Sequence, residues 1–324
     1  MNKSVNRKIE RFKKISKEFG ICKSIPVAFY NFTNNDDKYI EHVLSILKKS
    51  LEQDAKKIKT GISTSQNEKP IAWSLWWQGA ENLPPILKVC LESQKKYIES
   101  AGVDYRFVDD SNINDYIEIP LVIREKVKKG IISFTHYSDY VRIALIEKYG
   151  GMWIDITLLL TQMIDVSIFD KEFYSFNLDH SIQPPAGIGQ KITICKWAGF
   201  MLGSSYLHHP LFEYIRSSLE RYWTEHDCDI DYFLLNSIIR VAYDSNNDVK
   251  RLIDSIPVNN SNLYKLSPII NEIWDERQWE TLTRNNTFFK LTQKKPVIES
   301  KDGKETFYKR IFNLYLVGDI DEHN

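Results

Sequence analysis

The sequence predicts an α/β protein with a mostly parallel sheet, preceded by a helical region. Three observations lead there. From Ile71 onward, short apolar runs alternate with amphipathic segments. A helix pattern ending at Tyr149 is closed by Gly150 and Gly151 and followed at once by the apolar run "MWIDITLLLT". Residues 1–67 differ in character and read as helical.

In the first helix, Val5, Ile9, Phe12, Ile15 and Phe19 recur at spacings of four and three and form one apolar face. Lys3, Arg7, Lys8, Arg11, Lys13, Lys14 and Lys17 crowd the rest. Such a helix either lies on an anionic membrane surface or packs its apolar face on the main domain. "YIEHVLSILKKSLEQDAKKI" is a second amphipathic helix, and the polar stretch 59–70 reads as a linker. The expected organisation is a helical region over 1–67 and an α/β domain over 71–324.

Within that domain, "IAWSLWWQG" is a strand-like run ending at Gly79. "LPPILKVCLESQKKYIESAG" has Pro at its start and Gly at its end, as helices do. "DYRFVDD" reads as a short strand and Pro120 to Lys129 as a helix. "FTHYSDYVRIALIEKYGG" is the helix before the Gly-Gly turn, and "MWIDITLLLT" is a single strand after it. No internal repeat or low-complexity tract interrupts the pattern.

The formal charge of the 324 residues is zero, which argues against a general nucleic-acid binder. Cys22, Cys90, Cys195 and Cys228 are far apart, without zinc spacing, and read as free thiols in a reducing compartment. No apolar run reaches transmembrane length, and the charged N-terminus without an apolar stretch behind it does not read as a signal peptide, so a cytoplasmic location is expected. Aromatic residues are 13% of the chain; most fill cores, and some make stacking surfaces.

The chemistry gathers at "SDYVRIALIEKYGGMWIDIT". Asp139 and Arg142 are three apart and share a helix face. Read alone, that pair is a surface ion pair. Asp155 and Thr157 are two apart and share a strand face with Trp153. The Gly-Gly turn folds the helix back on the strand, so both pairs can meet at the carboxyl end of a strand, where open α/β sheets bind ligands. A carboxylate at a buried edge needs a cation or several donors. Mg²⁺ or Mn²⁺ bound through phosphates would supply one. The residues thus read as a metal–diphosphate site, with Asp155 as the protein anchor, Thr157 beside it, and Arg142 compensating phosphate or orienting a sugar hydroxyl.

This stretch resembles the donor-site signature of bacterial sugar transferases of glycosyltransferase family 32 and the related capsular polysaccharide synthesis proteins: S-D-x-x-R, then G-G-x-[YW]-x-D-x-[DT]. Asp139 and Asp155 stand sixteen apart, as the two aspartates do in the clostridial glucosylating toxins. "WSLWWQG…PPILKVCLES", "WAGFMLGSSYLHHPLF", "DYFLLNSII" and "TFFKLTQK" look like further family motifs, and together they cover Ile71 to Lys294.

The resemblance implies a GT-A fold, a nucleotide-diphosphate sugar donor such as a UDP-sugar, Mn²⁺ or Mg²⁺, and retention at the anomeric carbon. By position, Trp76 would stack on the nucleobase with Trp77 and Gln78 nearby, and Ser138, Asp139 and Arg142 would hold sugar and ribose. Asp155 would reach metal and ribose. Thr157 stands where many relatives carry a second Asp, which weakens the metal site. Asp231 would be the carboxylate beside the reacting sugar, or a helix N-cap. Lys290 would neutralise the departing diphosphate, or be a solvated strand end. Asp139, Arg142 and Asp231 are therefore the expected catalytic residues.

Trp197 and Gly199 would line the acceptor side, though Trp197 also reads as core. Adjacent His208 and His209 cannot share a face and do not suit a metal. "GIGQ" from Gly187 lacks the dinucleotide fingerprint and reads as a loop over the donor. The implied acceptor is a lipid-linked oligosaccharide at the inner membrane face, with peripheral membrane contact. The alternatives are a toxin-like protein glycosyltransferase and a nucleotide-sugar-binding protein without catalysis, the latter suggested by Thr157.

Overall fold

The computed structural model describes residues 3–61, 69–178 and 187–317. Most of the stretch expected as a linker lies outside these residues.

The N-terminal region contains three helices where the sequence suggested two: α1 (Lys3–Phe19), α2 (Ile21–Phe32) and α3 (Asp36–Ala55). α2 was missed because it contains Pro26, a helix breaker in sequence logic. Gly20 makes the corner between α1 and α2 at φ 82°. The α1 face packs inward: Ile15 is buried, and Phe19 lies against Tyr222 and His226. The side chain of Val5, predicted on that face, lies outside the described residues. Arg11 donates to the Ile230 carbonyl at 3.1 Å. α3 buries Val43, Leu47 and Leu51 in one core with Trp73, Trp153 and Ile238. At its end, Asn246 Nδ2 donates to the carbonyls of Ala55 and Ile58.

β1 (Ile71–Leu75) is buried at every position, as a strand covered on both faces must be. α4 (Pro85–Glu99) carries the chain over to β2 (Asp104–Val108), which pairs parallel with β1. Two short helices, α5 (Ile113–Tyr116) and α6 (Leu121–Lys128), lead to α7 (Phe134–Tyr149). α7 opens with the Ser133 side chain accepting from His136 N. Gly150 and Gly151, at φ 64° and 86°, then turn the chain into β3 (Gly151–Ile154). A Cβ on Gly151 would stand 2.3 Å from the Ile71 carbonyl oxygen, so only glycine lets β3 lie against β1.

The predicted strand "MWIDITLLLT" is broken. β3 ends at Ile154, and β4 (Leu158–Leu160) belongs to a different sheet. Between them Leu158 N donates to the Asp155 carbonyl at 2.9 Å and Thr157 N to the Asp155 side chain at 3.0 Å, a local turn.

After β5 (Tyr174–Ser175), α8 (Ile188–Thr193) and β6 (Met201–Ser204) come α9 (Pro210–Glu225), α10 (Leu234–Ser245), α11 (Asn247–Asp254), α12 (Leu266–Ile269) and α13 (Glu276–Thr283). β7 (Phe288–Lys290), the hairpin β8 (Ser300–Lys301) with β9 (Lys304–Glu305), and α14 (Phe307–Phe312) follow, and a π-helical turn (Asn313–Val317) ends the described order.

The main sheet runs β2-β1-β3-β6-β5. It is mixed rather than mostly parallel: β6 pairs antiparallel with β3 and β5. β4 and β7 form a small antiparallel sheet. Strand order reverses at β1, with β2 on one side and β3 on the other. The crevice beyond the carboxyl ends of β1 and β3 is the switch point where such sheets take ligands.

Candidate functional site

Residues just beyond β1 and β3 open into that crevice. β1 delivers Trp76, Trp77 and Gln78; β3 delivers Trp153, Asp155 and Thr157; α7 adds Ser138 and Arg142, and β7 adds Lys290. Together they line a cleft of ≈ 670 Å³, the volume of a ligand-sized pocket.

The Arg142 guanidinium is buried, and each of its three nitrogens has a partner. Nε donates to the Ser138 carbonyl at 3.3 Å, Nη1 to the Gly199 carbonyl, and Nη2 pairs with Asp139 Oδ1 at 3.3 Å. The group also lies over the Trp153 ring, 4.9 Å from its centroid. The pair is therefore not a surface ion pair. Asp139 is buried behind Arg142 rather than on the cleft wall. Burial pushes its carboxyl up, against the pull of Arg142 and His136.

Asp155 and Thr157 meet through the turn, not through strand alternation. Asp155 Oδ1 accepts from Thr157 N, from the Thr157 hydroxyl, and from Lys290 Nζ at 3.2 Å. Lys290 also donates to Thr157 Oγ1 and lies 4.3 Å from the Phe200 ring centroid. Burial alone would raise the Asp155 carboxyl. Lys290, Arg142 and the Thr157 hydrogen bonds outweigh it and hold it at about 2. Burial lowers the Lys290 ammonium against the pull of Asp155.

The two expected metal ligands are thus bound to each other and to an ammonium. Asp155 is the only acid among the described residues that line the cleft. No group of three or more His, Cys, Asp or Glu able to hold a metal ion is found among the described residues. A Mn²⁺ or Mg²⁺ ion here would find one carboxylate and one hydroxyl, both already engaged by Lys290, and would take its remaining ligands from phosphate and water.

The tryptophans divide their roles. Trp77 stacks on Tyr137 at 4.3 Å with planes 3° apart, and its Nε1 donates to Ser138 Oγ at 2.8 Å. Its face is covered, so it braces α7. Trp76 is half-buried on the cleft wall, and its Nε1 has no partner. Gln78 is exposed at the rim.

Asp231, expected beside the reacting sugar, does not line the cleft. It is buried, with Oδ1 accepting from Tyr39 Oη at 2.8 Å and Oδ2 from Phe233 N at 2.9 Å. It braces the turn before α10 against α3, which is close to the cap alternative. Its neighbour Tyr232 reaches the cleft instead. Trp197 and Gly199 line an adjoining pocket of ≈ 470 Å³ that meets the cleft at Tyr264. Gly187 to Gln190, expected as a loop over the donor, enter α8 and line that second pocket. His208 and His209 go to different carboxylates, Glu147 at 2.7 Å and Glu172 at 2.9 Å. Tyr264, Lys294 and Lys295 also line the cleft and were missed. Lys294 ends the motif read for Lys290 and Lys295 follows it, so their position was a usable signal.

Comparison with known proteins finds an O-glycosyltransferase, PaGT, of Phomopsis amygdali, 28% identical over 142 residues. The match covers 40% of this chain and 34% of that protein, so the chain spans about a third of its relative's length. No solved structure matches. The model of one protein family, the capsular polysaccharide synthesis proteins, matches residues 26–311, nearly the whole chain, and the chain belongs to that family.

Proposed function

We propose that the chain is a glycosyltransferase of GT-A type. In this reading it moves a hexose, with retention, from a nucleotide-diphosphate sugar (a UDP-sugar first of all) to a lipid-linked oligosaccharide in capsule assembly. The observation that carries the reading is the cleft at the switch point, whose lining combines the aromatic Trp76 with the cations Lys290, Lys294 and Lys295. A base stacks on an aromatic face, and a diphosphate needs positive charge.

The chain's residues then divide the work. Trp76 takes the base and Ser138 the polar groups of ribose or sugar. Arg142, held from behind by Asp139, presents a fixed guanidinium edge to the sugar end. As the bond from the anomeric carbon to the diphosphate oxygen breaks, its electron pair goes to the diphosphate. The lysine ammonium groups stabilise the charge that develops there. The acceptor hydroxyl oxygen forms the new bond to the anomeric carbon and passes its proton to the departing diphosphate oxygen. The family and the O-glycosyltransferase relative support glycosyl transfer.

The test is a screen of nucleotide sugars for slow hydrolysis to free sugar. One donor is expected to turn over, and Trp76→Ala is expected to weaken binding of its nucleotide by about 1–3 kcal/mol, the range of a base–aromatic stack. A protein that binds a nucleotide sugar but releases no sugar from any would be a binding protein, not a transferase.

A further inference from the structure

We propose that the Lys290 ammonium does the electrostatic work of a divalent cation in this cleft, so that nucleotide-diphosphate binding needs no metal. The inference rests on the glycosyltransferase reading and concerns how that site holds its diphosphate.

Three observations carry it. First, Lys290 Nζ reaches Asp155 Oδ1 at 3.2 Å and donates to Thr157 Oγ1, the two atoms that a cation at this turn would have to use. The Thr157 hydroxyl is engaged in both directions, since it also donates its proton to Asp155. A divalent ion placed on these oxygens would sit against an ammonium and be repelled by it.

Second, nothing else in the cleft substitutes as a ligand. Among its described lining residues Asp155 is the only acid, and no His or Cys joins it. A hard cation takes most of its ligands from carboxylates, phosphates and water; here the protein offers one carboxylate, already carrying three donors.

Third, Lys290 is held in place. It sits on β7, opposite Leu158 of β4, so the strand pairing that follows the Asp155 turn fixes its backbone. Its N–H donates to the Leu263 carbonyl at 2.8 Å, and its ammonium rests against the Phe200 ring. A fixed ammonium aimed at the switch-point crevice is a preorganised charge, which is what a bound cation would provide. In place of a second carboxylate and a metal, this chain has a threonine and a lysine.

The experiment is calorimetric titration of the whole protein with UDP and with GDP, in chelator and in Mn²⁺. The wild type is expected to bind one of them equally, within about twofold, in both conditions, while Lys290→Met loses about tenfold or more, the scale of one charge-assisted contact. In the double variant Lys290→Met with Thr157→Asp, binding is expected to return only when Mn²⁺ is present. If Lys290→Met fails to fold, the chelator comparison on the wild type still decides.

Loss of wild-type binding in chelator, restored by Mn²⁺, would overturn the inference and leave the proposed function standing. Unchanged binding by a folded Lys290→Met would also overturn it. Failure to bind either nucleotide under both conditions would overturn the proposed function itself.

Discussion

The guanidinium of Arg142 touches two elements at once: Ser138 and Asp139 on its own helix, and the Gly199 carbonyl just before β6. Trp153 lies under it. A lysine could satisfy one of these partners and would leave the others buried and unpaired. Arg142→Lys is therefore expected to lower unfolding free energy by about 2–4 kcal/mol and not to restore the turnover lost in Arg142→Ala. Urea unfolding and donor hydrolysis measure the two effects; a Lys variant equal to wild type in both would mean the guanidinium geometry is irrelevant. At this scale the sequence was informative for a partly mistaken reason. Spacing put Asp155 and Thr157 on one strand face, whereas a turn built on the Asp155 carboxylate brings them together. Which residues meet was legible, because an Asp two before a Thr suits both geometries. That Lys290 would bind them was not, since it arrives from 133 and 135 residues away.

Elements with strong period and clear punctuation were legible: β1, α4, β2 and α7 lie close to where apolar spacing, Pro and Gly put them. Elements that depend on partners were not. α2 contains a proline, and β6 lies close against β3 because Gly203 lacks a Cβ, which would meet the Gly151 oxygen at 2.2 Å. The turn before α10 is another case. Asp231 reads equally well as a catalytic carboxylate and as a brace, and only the Tyr39 hydroxyl of α3, 192 residues away, decides which groups it faces. Asp231→Ala would leave that hydroxyl buried without an acceptor and free the Phe233 N–H. The expected result is a stability loss of about 2–3 kcal/mol with nucleotide affinity nearly unchanged. A stable Asp231→Ala protein that binds nucleotide but turns over the donor a hundredfold more slowly, about 2.7 kcal/mol in the barrier, would restore Asp231 to the chemistry.

Over the whole molecule, the N-terminal segment stands out by its basic excess and its exposed apolar residues. Residues 1–35 hold eight Lys and Arg against two Glu, while the chain as a whole is neutral. The apolar face of α1 is turned inward at Ile15 and Phe19, while Ile9 on the same face is 39% exposed. α2 behaves differently: Val27 and Ser24 face the protein, but Ile21, Ile25 and Phe29 are 64%, 52% and 59% exposed at successive spacings of four, one stripe of the helix. No helix among the described residues is long and apolar enough to cross a membrane. An apolar stripe on a helix packed against α1, whose Lys13, Lys14 and Lys17 are exposed, suits the surface of an anionic bilayer, where rings and aliphatic chains enter the headgroup region and ammonium groups meet phosphate. A second copy of the chain is a poorer occupant, because it would bring two positive ends together. The lipid-linked acceptor of the proposed reaction would be met at the same surface. The full-length protein is expected to co-sediment with vesicles containing phosphatidylglycerol, and far less with pure phosphatidylcholine. Replacing Ile21, Ile25 and Phe29 together with Ser, or Lys13, Lys14 and Lys17 together with Gln, is expected to weaken that binding about tenfold or more, at about 1 kcal/mol for each basic residue near the surface. Both variants should keep the thermal unfolding and nucleotide affinity of the wild type, since neither set touches the cleft. Binding to anionic vesicles that survives the triple Ser variant would exclude the α2 stripe as the contact. A concentration-dependent dimer that the same variant abolishes, without any vesicle binding by wild type, would assign the stripe to self-association instead.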